Sequence, residues 1–250
     1  MALSRSFFAG LWVILVLGSC TTVQHISKTE VKYISVNPSI EDARDAKIDS
    51  MIAPYRASLE AQMNETLGQV SVDLSKNKPE STLGNWYVDA MMNGAARAGY
   101  KADLGVSNYG GLRIPMITAG PLTRGEVYEL SPFDNLLLIV DVPGKTLDTL
   151  MQMIASSEGW PVSTEVRMKI HNSQMTSCMI QGQPIDPARI YKVAMPDYVA
   201  NGGDGCKMLI PLTRVQTGLL VRDLLIDEAK ARTAKGEGIR AQIEGRIVKQ

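Results

Sequence analysis

The apolar positions in the first half of the chain repeat with the period of amphipathic helices. Residues 49–67 place an apolar side chain at every third or fourth position, and this spacing predicts a helix. Residues 83–99 show the same spacing, and Ser81 or Thr82 just before them supplies the hydroxyl that caps a helix N-terminus. Between these helices, apolar and polar residues alternate over residues 70–74, which indicates a strand.

After residue 99 the pattern changes to short strands separated by turns. Residues 136–142 are apolar at nearly every position, as is typical of a strand buried on both faces. Gly144 precedes another helical pattern, residues 120–125 are predicted to form a turn, and residues 217–231 are predicted to form the last helix. The other predicted strands cover residues 102–106, 166–170, 176–180, 191–194 and 245–248.

This order of elements predicts an α+β (mixed α/β) fold, with a mixed sheet and packed helices in one domain over residues 45–250. The composition agrees, because a chain of 250 residues with 45% hydrophobic and 21% charged residues can bury a sizeable core. The formal net charge is zero, so no attraction to nucleic acid is expected and any bound anion must be held by local charges.

The N-terminal residues have the pattern of an export signal. A cationic start, the apolar run of residues 7–17 and a small-small-Cys ending at Cys20 resemble a bacterial lipoprotein signal. This resemblance implies that residues 1–19 are removed and that Cys20 is lipidated. Residues 20–44 are polar and are predicted to form a tether that lifts the domain off the membrane. A plain secretory signal or an N-terminal anchor helix remains the alternative.

Lipidation of the first cysteine leaves Cys178 and Cys206. Whether these two thiols pair cannot be decided from the sequence, because a disulfide requires strict geometry. No Cys-x-x-Cys sequence occurs, which excludes thiolate metal sites and thioredoxin-like chemistry.

The residues available for catalysis exclude several classes of enzyme. The chain has two histidines, His25 and His171, whereas a dinuclear metallophosphatase site needs several His and Asp ligands from separate loops. Residues 105–109 begin like the nucleophile turn of a serine hydrolase but lack its second glycine. Neither Gly-x-Gly-x-x-Gly nor a complete Gly-x-x-x-x-Gly-Lys-Ser/Thr loop occurs.

Two loops remain that are rich in binding groups. In the first, Asn108 and Gly111 precede Arg113, which puts a forked guanidinium donor suited to phosphate just after flexible backbone. In the second, residues 198–205 place three glycines around the single carboxylate of Asp204, which is typical of backbone that turns tightly or lets another group come close. An ordinary turn and a solvated ion pair are the alternatives for these loops.

Two aromatic residues, Phe133 and Tyr198, each lie at the edge of a predicted strand beside turn residues. If both rings are partly exposed and face one another, they would sandwich a planar base, with about 1–3 kcal/mol for each stacked contact. Packing in the core is the alternative for each ring.

Several motifs together resemble the C-terminal domain of bacterial and animal 5′-nucleotidases. The similarity extends over residues 45–250, and its motifs occur in the family's order and spacing. They are Thr82-Leu-Gly-Asn85, Asp89-Ala-Met91, Asn108-Tyr-Gly-Gly-Leu-Arg113, residues 120–125, Pro132-Phe-Asp-Asn135, Gly144 and residues 198–205.

This resemblance implies a role for each matching residue. Phe133 and Tyr198 would stack on the two sides of the base, and Asp204 would bind the ribose hydroxyls. Arg113 would hold a phosphate. Asn108 would contact the reacting end of the nucleotide, and Asn135 would contact the base. The chain departs from the family at Lys76 and Lys78, where another arginine is common, and at Cys206, where an aromatic residue usually follows.

Family enzymes also have an N-terminal metallophosphatase domain that holds two metals, and the residues before Asp45 are too few to form one. The expected function is therefore the nucleotide-binding half of a split 5′-nucleotidase in nucleotide catabolism. Its partners would be a nucleotide or nucleoside and a separately encoded metallophosphatase that holds the divalent metals, with no cofactor or catalytic residue in this chain. Whether the chain is itself an enzyme stays open.

Two alternatives to the split enzyme remain. One is a non-catalytic lipoprotein that captures nucleotides or nucleosides at the periplasmic face or the cell surface. The other is a degenerate domain that serves only as an interaction module and has no affinity for nucleotides.

Overall fold

The computed structural model describes residues 45–250, so the predicted signal peptide, Cys20 and the tether lie outside the described residues. The chain divides into two compact units between Met51 and Ile52. In the first unit the described residues begin a helix, and the Asp45 side chain accepts a hydrogen bond from the backbone N–H of Lys47 at 2.9 Å. The second unit, Ile52–Gln250, contains every strand of the described chain and the candidate site.

The first helix, α1 (Ala46–Met63), ends earlier than its periodicity predicts. The prediction of helix as far as residue 67 was wrong, because β1 (Thr66–Val70) pairs antiparallel with β5 (Gly120–Thr123), far along the chain. The predicted strand at residues 70–74 was also misplaced. The backbone there leaves β1 at Val70 and pairs again only as β2 (Leu74–Ser75), with β4 (Met116–Ile117).

The second predicted helix is confirmed as α2 (Thr82–Arg97). Ser81 caps it, since its side-chain oxygen accepts a hydrogen bond from the N–H of Gly84 at 3.0 Å. Trp86, Ala90, Met91 and Ala95, which repeat at helical spacing, are all buried.

The segment predicted as a turn, residues 120–125, instead contains β5 and the first residues of α3 (Arg124–Leu130). The helix begins there because Thr123 and Glu126 form a capping box, in which each side chain accepts a hydrogen bond from the other residue's backbone N–H.

The central sheet has the order β11-β6-β10-β3. Its strands are β3 (Leu104–Gly105), β6 (Leu136–Pro143), β10 (Ile190–Pro196) and β11 (Arg214–Leu220). β10 is parallel to β3, whereas β6 is antiparallel to both of its neighbours. The last helix, α6 (Val221–Ala234), therefore begins later than predicted, because residues 217–220 belong to β11 and pair with β6.

The second four-stranded sheet has the order β12-β7-β8-β9. Its strands are β7 (Val166–His171), β8 (Gln174–Ile180), β9 (Gln183–Pro184) and β12 (Ile247–Lys249). Helix α4 (Gly144–Ser156) follows β6 and packs against β8, and a short helix, α5 (Asp197–Ala200), follows β10. The mixture of helices with mixed sheets confirms the α+β class.

Burial alternates along β6 between two hydrophobic cores. Leu138, Val140 and Val142 belong to one core, and Leu137 and Ile139 belong to the other. The central sheet therefore lies between two apolar layers, as the continuous apolar run predicts. No helix in the described part of the chain is long and apolar enough to cross a bilayer.

The sheet topology brings three loops to one end of the central sheet. The parallel pair of β3 and β10 directs the loops that follow both strands toward the same edge. Pro196 at the end of β10 pairs with Leu137 near the start of β6, so the loop that precedes β6 meets the other two. These loops contain the binding motifs identified in the sequence.

Candidate functional site

The three loops enclose a pocket of about 280 Å³, close to the lower end of the volumes usual for small-molecule sites. All seven residues predicted from the sequence to bind substrate line this pocket, together with Gly110. They are Asn108, Gly111, Arg113, Phe133, Asn135, Tyr198 and Asp204. Residues separated by almost a hundred positions in the chain are thus neighbours in the fold, and their roles toward a ligand remain predictions.

The carboxylate of Asp204 lies between two hydrogen-bond donors. The amide nitrogen of Asn108 donates to Oδ2 at 2.7 Å, and the hydroxyl of Tyr198 donates to Oδ1 at 3.1 Å. The bond to Asp204 raises the pKa of the Tyr198 hydroxyl, because deprotonation would place two negative charges side by side. The hydroxyl therefore stays a donor at neutral pH, and both carboxylate oxygens keep free lone pairs for further donors.

Glycines permit this arrangement in the Tyr198–Asp204 loop. A Cβ atom at Gly203 would lie 2.4 Å from a ring carbon of Tyr198, so only glycine lets the ring pack on the backbone. Asp204 itself has a φ of 49°, a left-handed conformation that is costly for most residues and tolerated by aspartate and asparagine. Such strain is typical of positions where a side chain must point in one direction.

Asn108 is buried, and only one of its two polar side-chain atoms has a partner. Its Nδ2 donates to Asp204, whereas its Oδ1 is buried without a hydrogen-bond partner in the described structure. A Cβ at Gly111 would lie 2.9 Å from this oxygen, so the glycine leaves room for the amide beside the backbone. A buried acceptor without a partner is costly, and a donor on a ligand in the pocket would satisfy it.

Both aromatic rings are unusually exposed for large apolar groups. Phe133 is 46% and Tyr198 is 45% exposed, whereas Trp86, Tyr87, Trp160 and Tyr191 are buried in the core. Partly exposed rings that line a pocket provide apolar faces for a flat ligand. Core packing, the alternative considered for each ring, is therefore wrong for both.

Three cations lie near one another, and one of them, Arg113, lines the pocket. The guanidinium carbon of Arg113 is 5.5 Å from the centroid of the Phe133 ring. The ammonium nitrogens of Lys76 and Lys78 lie 4.1 and 4.8 Å from the centroid of the Tyr109 ring. Burial lowers the pKa of Lys76, and the positive charges of Arg113 and Lys78 lower it further. These cations repel one another, which is the electrostatic condition for attracting an anion.

Two arginines that were not identified from the sequence form hydrogen bonds to the loops of the pocket without lining it. Arg222 contacts the loop that bears Phe133, and Arg214 donates to the carbonyl oxygens of Ala200, Leu209 and Ile210 beside the Tyr198 loop. A signal for Arg222 exists in the sequence, because helical spacing places it on the same face as the buried Ile226 and Ala229. The periodicity does not reveal which loop such an arginine contacts.

The two cysteines in the described part of the chain are free thiols and buried. Burial raises the pKa of Cys206 to about 11 and that of Cys178 to about 12, so both stay protonated at neutral pH. Among residues 45–250, no group of three or more His, Cys, Asp and Glu side chains is arranged to hold a metal ion.

Three other surface depressions in the described part of the chain are larger than the pocket, and the two largest have volumes of about 520 and 560 Å³. The first lies around the C-terminus of α2 and includes Asp103 and Lys192. The second includes Asp89, Arg240 and Arg246. Neither combines exposed aromatic rings with converging polar groups. The smaller pocket is therefore the better candidate for a ligand-binding site.

Comparison with known proteins places the described fold among nucleotidases. The family model described as the C-terminal domain of 5′-nucleotidase matches residues 62–210. Protein UshA of Escherichia coli is 30% identical over 174 residues, which are 66% of this chain and 30% of that protein. Cell wall protein Lmo0130 of Listeria monocytogenes is 27% identical over 253 residues, which are 91% of this chain and 32% of that protein.

Among solved structures, the 5′-nucleotidase precursor from Thermus thermophilus is similar, with a TM-score of 0.69 and 26% identity. The similarity covers 80% of this chain and 42% of that one. The chain therefore spans about a third of the length of the relatives it matches in sequence, and less than half of this solved structure.

Proposed function

Because this chain belongs to the family of 5′-nucleotidase C-terminal domains, we propose that it binds a nucleotide and presents it to a separately encoded metallophosphatase. In this proposal the chain is the recognition half of a split 5′-nucleotidase that hydrolyses phosphate esters in nucleotide catabolism. The observation behind it is the convergence of two exposed rings, one fixed carboxylate and the guanidinium of Arg113 on one pocket.

The two rings would hold the base. Phe133 and Tyr198 offer apolar faces in the same pocket, and stacking on each is worth about 1–3 kcal/mol. Asn135, which also lines the pocket, would contact the polar edge of the base. A residue with both a donor and an acceptor in its side chain suits this edge, because bases present both kinds of group.

Asp204 would bind the ribose. Its two oxygens already accept hydrogen bonds from Asn108 and Tyr198, which fix the carboxylate while leaving lone pairs for the two sugar hydroxyls. The resemblance to the family assigns Asn108 to the reacting end of the nucleotide, where the second N–H of its Nδ2, which Asp204 does not use, would donate to a phosphate oxygen.

Arg113 would hold a phosphate, with Lys76 and Lys78 adding positive charge nearby. The lysines stand where family members commonly have an arginine. Lysine supplies a point charge rather than a planar fork, so it would attract the phosphate without fixing its orientation. We expect this loosely oriented binding to suit a site that must release the phosphate end of the nucleotide to the active site of another protein.

The metals would come from the partner. When bound, divalent cations in the metallophosphatase would supply the activation of water and the stabilisation of the leaving oxygen. The residues of this chain bind the base, orient the ribose and hold the phosphate end near the mouth of the pocket. Cys20, if lipidated, would anchor the chain on the exported side of a membrane, at the periplasmic face or the cell surface.

The first test is nucleotide binding, measured by titration calorimetry with AMP. Phe133→Ala and Tyr198→Ala are each expected to weaken binding by about 1–3 kcal/mol, which is about five- to 150-fold. Tyr55→Ala is the matched control, because Tyr55 is an exposed tyrosine that does not line the pocket. Wild-type protein without measurable affinity for AMP would contradict the proposal.

The second test concerns the partner and separates the split enzyme from a stand-alone nucleotide binder. Phosphate release from AMP is measured with an exported metallophosphatase of the same organism, alone and with this chain. The proposal expects faster release with the wild-type chain and little acceleration with Arg113→Ala. Tight AMP binding without any acceleration would favour a surface lipoprotein that captures nucleotides without hydrolysing them.

A further inference from the structure

Arg222 is a buried arginine, 7% exposed, whose head group is bonded to the loop that bears Phe133. It is the second residue of α6. Its Nη2 donates to Oδ1 of Asp134 at 2.6 Å, a short charge-assisted hydrogen bond. Its Nη1 lies 3.2 Å from the carbonyl oxygen of Pro132 and 3.4 Å from those of Ser131 and Phe133. One planar group thus contacts four consecutive residues of this loop.

The rest of the surroundings hold this guanidinium in place. Its central carbon lies 4.1 Å from the centroid of the Tyr128 ring of α3, a cation–π contact on the side of the core. The preceding residue, Val221, donates its backbone N–H to the carbonyl oxygen of Asn135 at 2.9 Å. The first two residues of α6 therefore hold the loop on both sides of Phe133.

The ring of Phe133 belongs to neither hydrophobic core, and the guanidinium of Arg113 lies 5.5 Å from its centroid. Almost half of it is exposed, so packing against the core does not set its orientation. Its direction follows from the backbone of the loop, and stacking depends on the ring lying parallel to the base at contact distance. A loop that moves would lose part of the stacking contribution even with the ring still present.

We infer that Arg222 is a positioning residue for recognition of the base, which acts by fixing the loop of residues 131–134 and so the ring of Phe133. This inference rests on the proposed nucleotide-binding function and adds a residue outside the pocket to it. Lysine cannot replace the arginine, because a single ammonium group cannot donate in one plane to a carboxylate and to several carbonyl oxygens.

The experiment compares two ligands, AMP and ribose 5-phosphate, on wild type and on Arg222→Lys. Ribose 5-phosphate has an anomeric hydroxyl in the place of the base of AMP and is otherwise the same. We expect Arg222→Lys to weaken AMP binding about five- to tenfold and to change ribose 5-phosphate binding by less than about twofold. Thermal unfolding of each variant is recorded to ensure that the titrations are made on folded protein.

Asp134→Asn is a second, milder variant. The Asp134 side chain is 78% exposed, so its substitution has little effect on folding but removes the charged acceptor of Arg222. It is expected to weaken AMP binding about two- to threefold, again without affecting ribose 5-phosphate. Arg232→Lys is the control, because Arg232 lies in the same helix, pairs with Glu228 and does not line the pocket.

A double-mutant cycle tests whether Arg222 acts through Phe133. In a Phe133→Ala background, Arg222→Lys should cause no further loss of AMP affinity. Additive losses, or equal losses for AMP and ribose 5-phosphate, would overturn the inference and assign Arg222 a purely structural role. If wild type binds AMP no better than ribose 5-phosphate, the proposed function fails instead, so the two failures are distinguishable.

Discussion

At the scale of single residues, Asp204 is the group on which the pocket depends most. Its backbone adopts a left-handed conformation, and its two oxygens accept hydrogen bonds from side chains of two different loops. The Tyr198 hydroxyl therefore has a function separate from that of its ring. The ring offers a stacking face, whereas the hydroxyl fixes the carboxylate that would bind the sugar.

Removal of this hydroxyl gives a prediction that separates the two functions. Tyr198→Phe keeps the stacking face and should weaken AMP binding about five- to tenfold, which corresponds to about 1–1.4 kcal/mol for one lost hydrogen bond to a charged group. Binding of 2′,3′-dideoxy-AMP should change by less than about twofold, because that ligand has no sugar hydroxyls for Asp204. Calorimetry with both ligands checks this, and an equal loss for both would contradict it.

The residues of the pocket could be predicted from the sequence, whereas their supports could not. The motifs that resemble 5′-nucleotidases designate seven of the eight residues that line the pocket, because each motif has a distinct sequence of residue types. Arg222 contacts backbone carbonyl oxygens, a kind of contact that leaves no pattern in the loop it holds. The presence of Lys76 and Lys78 where the family commonly has an arginine was visible in the sequence. The position of these lysines around the Tyr109 ring was not.

At the scale of elements, local signals predicted the helices well and the short strands poorly. Ser81 and the apolar face of α2 are local features, and the helix forms where they indicate. Residues 66–67 and 217–220 carry helical spacing but form strands, because their partners β5 and β6 lie far away in the chain. Non-local pairing of this kind overrides a weak periodicity.

One ion-pair network joins the C-terminal segment to the start of α2. The guanidinium of Arg246 is 1% exposed and forms a bidentate pair with Asp89, with distances of 2.7 and 2.6 Å. The carboxylate of Glu80 accepts the backbone N–H of Arg246 at 2.9 Å and a hydrogen bond from Asn85 at 2.7 Å. This network holds β12 beside the loop that contains the two lysines.

Disruption of this network should destabilise the fold without affecting recognition. Arg246→Met is expected to lower the free energy of unfolding by about 3 kcal/mol, because it leaves Asp89 partly buried without its partner. Urea unfolding measures the change, with Arg240→Met on the exposed side of the same segment as the control, expected to stay within about 0.5 kcal/mol. AMP affinity of the folded variant should remain near wild type, since Arg246 does not line the pocket.

At the scale of the whole molecule, the pocket joins loops that belong to distant parts of the chain. Residues 108–113, 133–135 and 198–204 follow or precede three strands of the central sheet. A ligand that contacts all three loops must bind the folded state alone, because the unfolded chain does not bring them together. Binding and stability are therefore linked.

This linkage predicts that AMP raises the unfolding temperature. At a free AMP concentration 100 times the dissociation constant, the folded state gains about 2.7 kcal/mol, which for a domain of this size corresponds to an increase of about 5–10 °C. Thermal unfolding at increasing AMP concentration measures it. The Phe133→Ala, Tyr198→Ala double variant is the control, and an equal increase in that variant would show that AMP binds elsewhere.

The stretch from Arg214 to Arg222 supports both ring-bearing loops, yet neither arginine lines the pocket. This segment is continuous and comprises β11, an edge strand of the central sheet, and the first turn of α6. Substitutions confined to this segment would alter the distance and tilt between the two rings while every residue that meets the ligand stays the same. In the proposed site, such substitutions would therefore change the preference for one base over another without changing a binding motif.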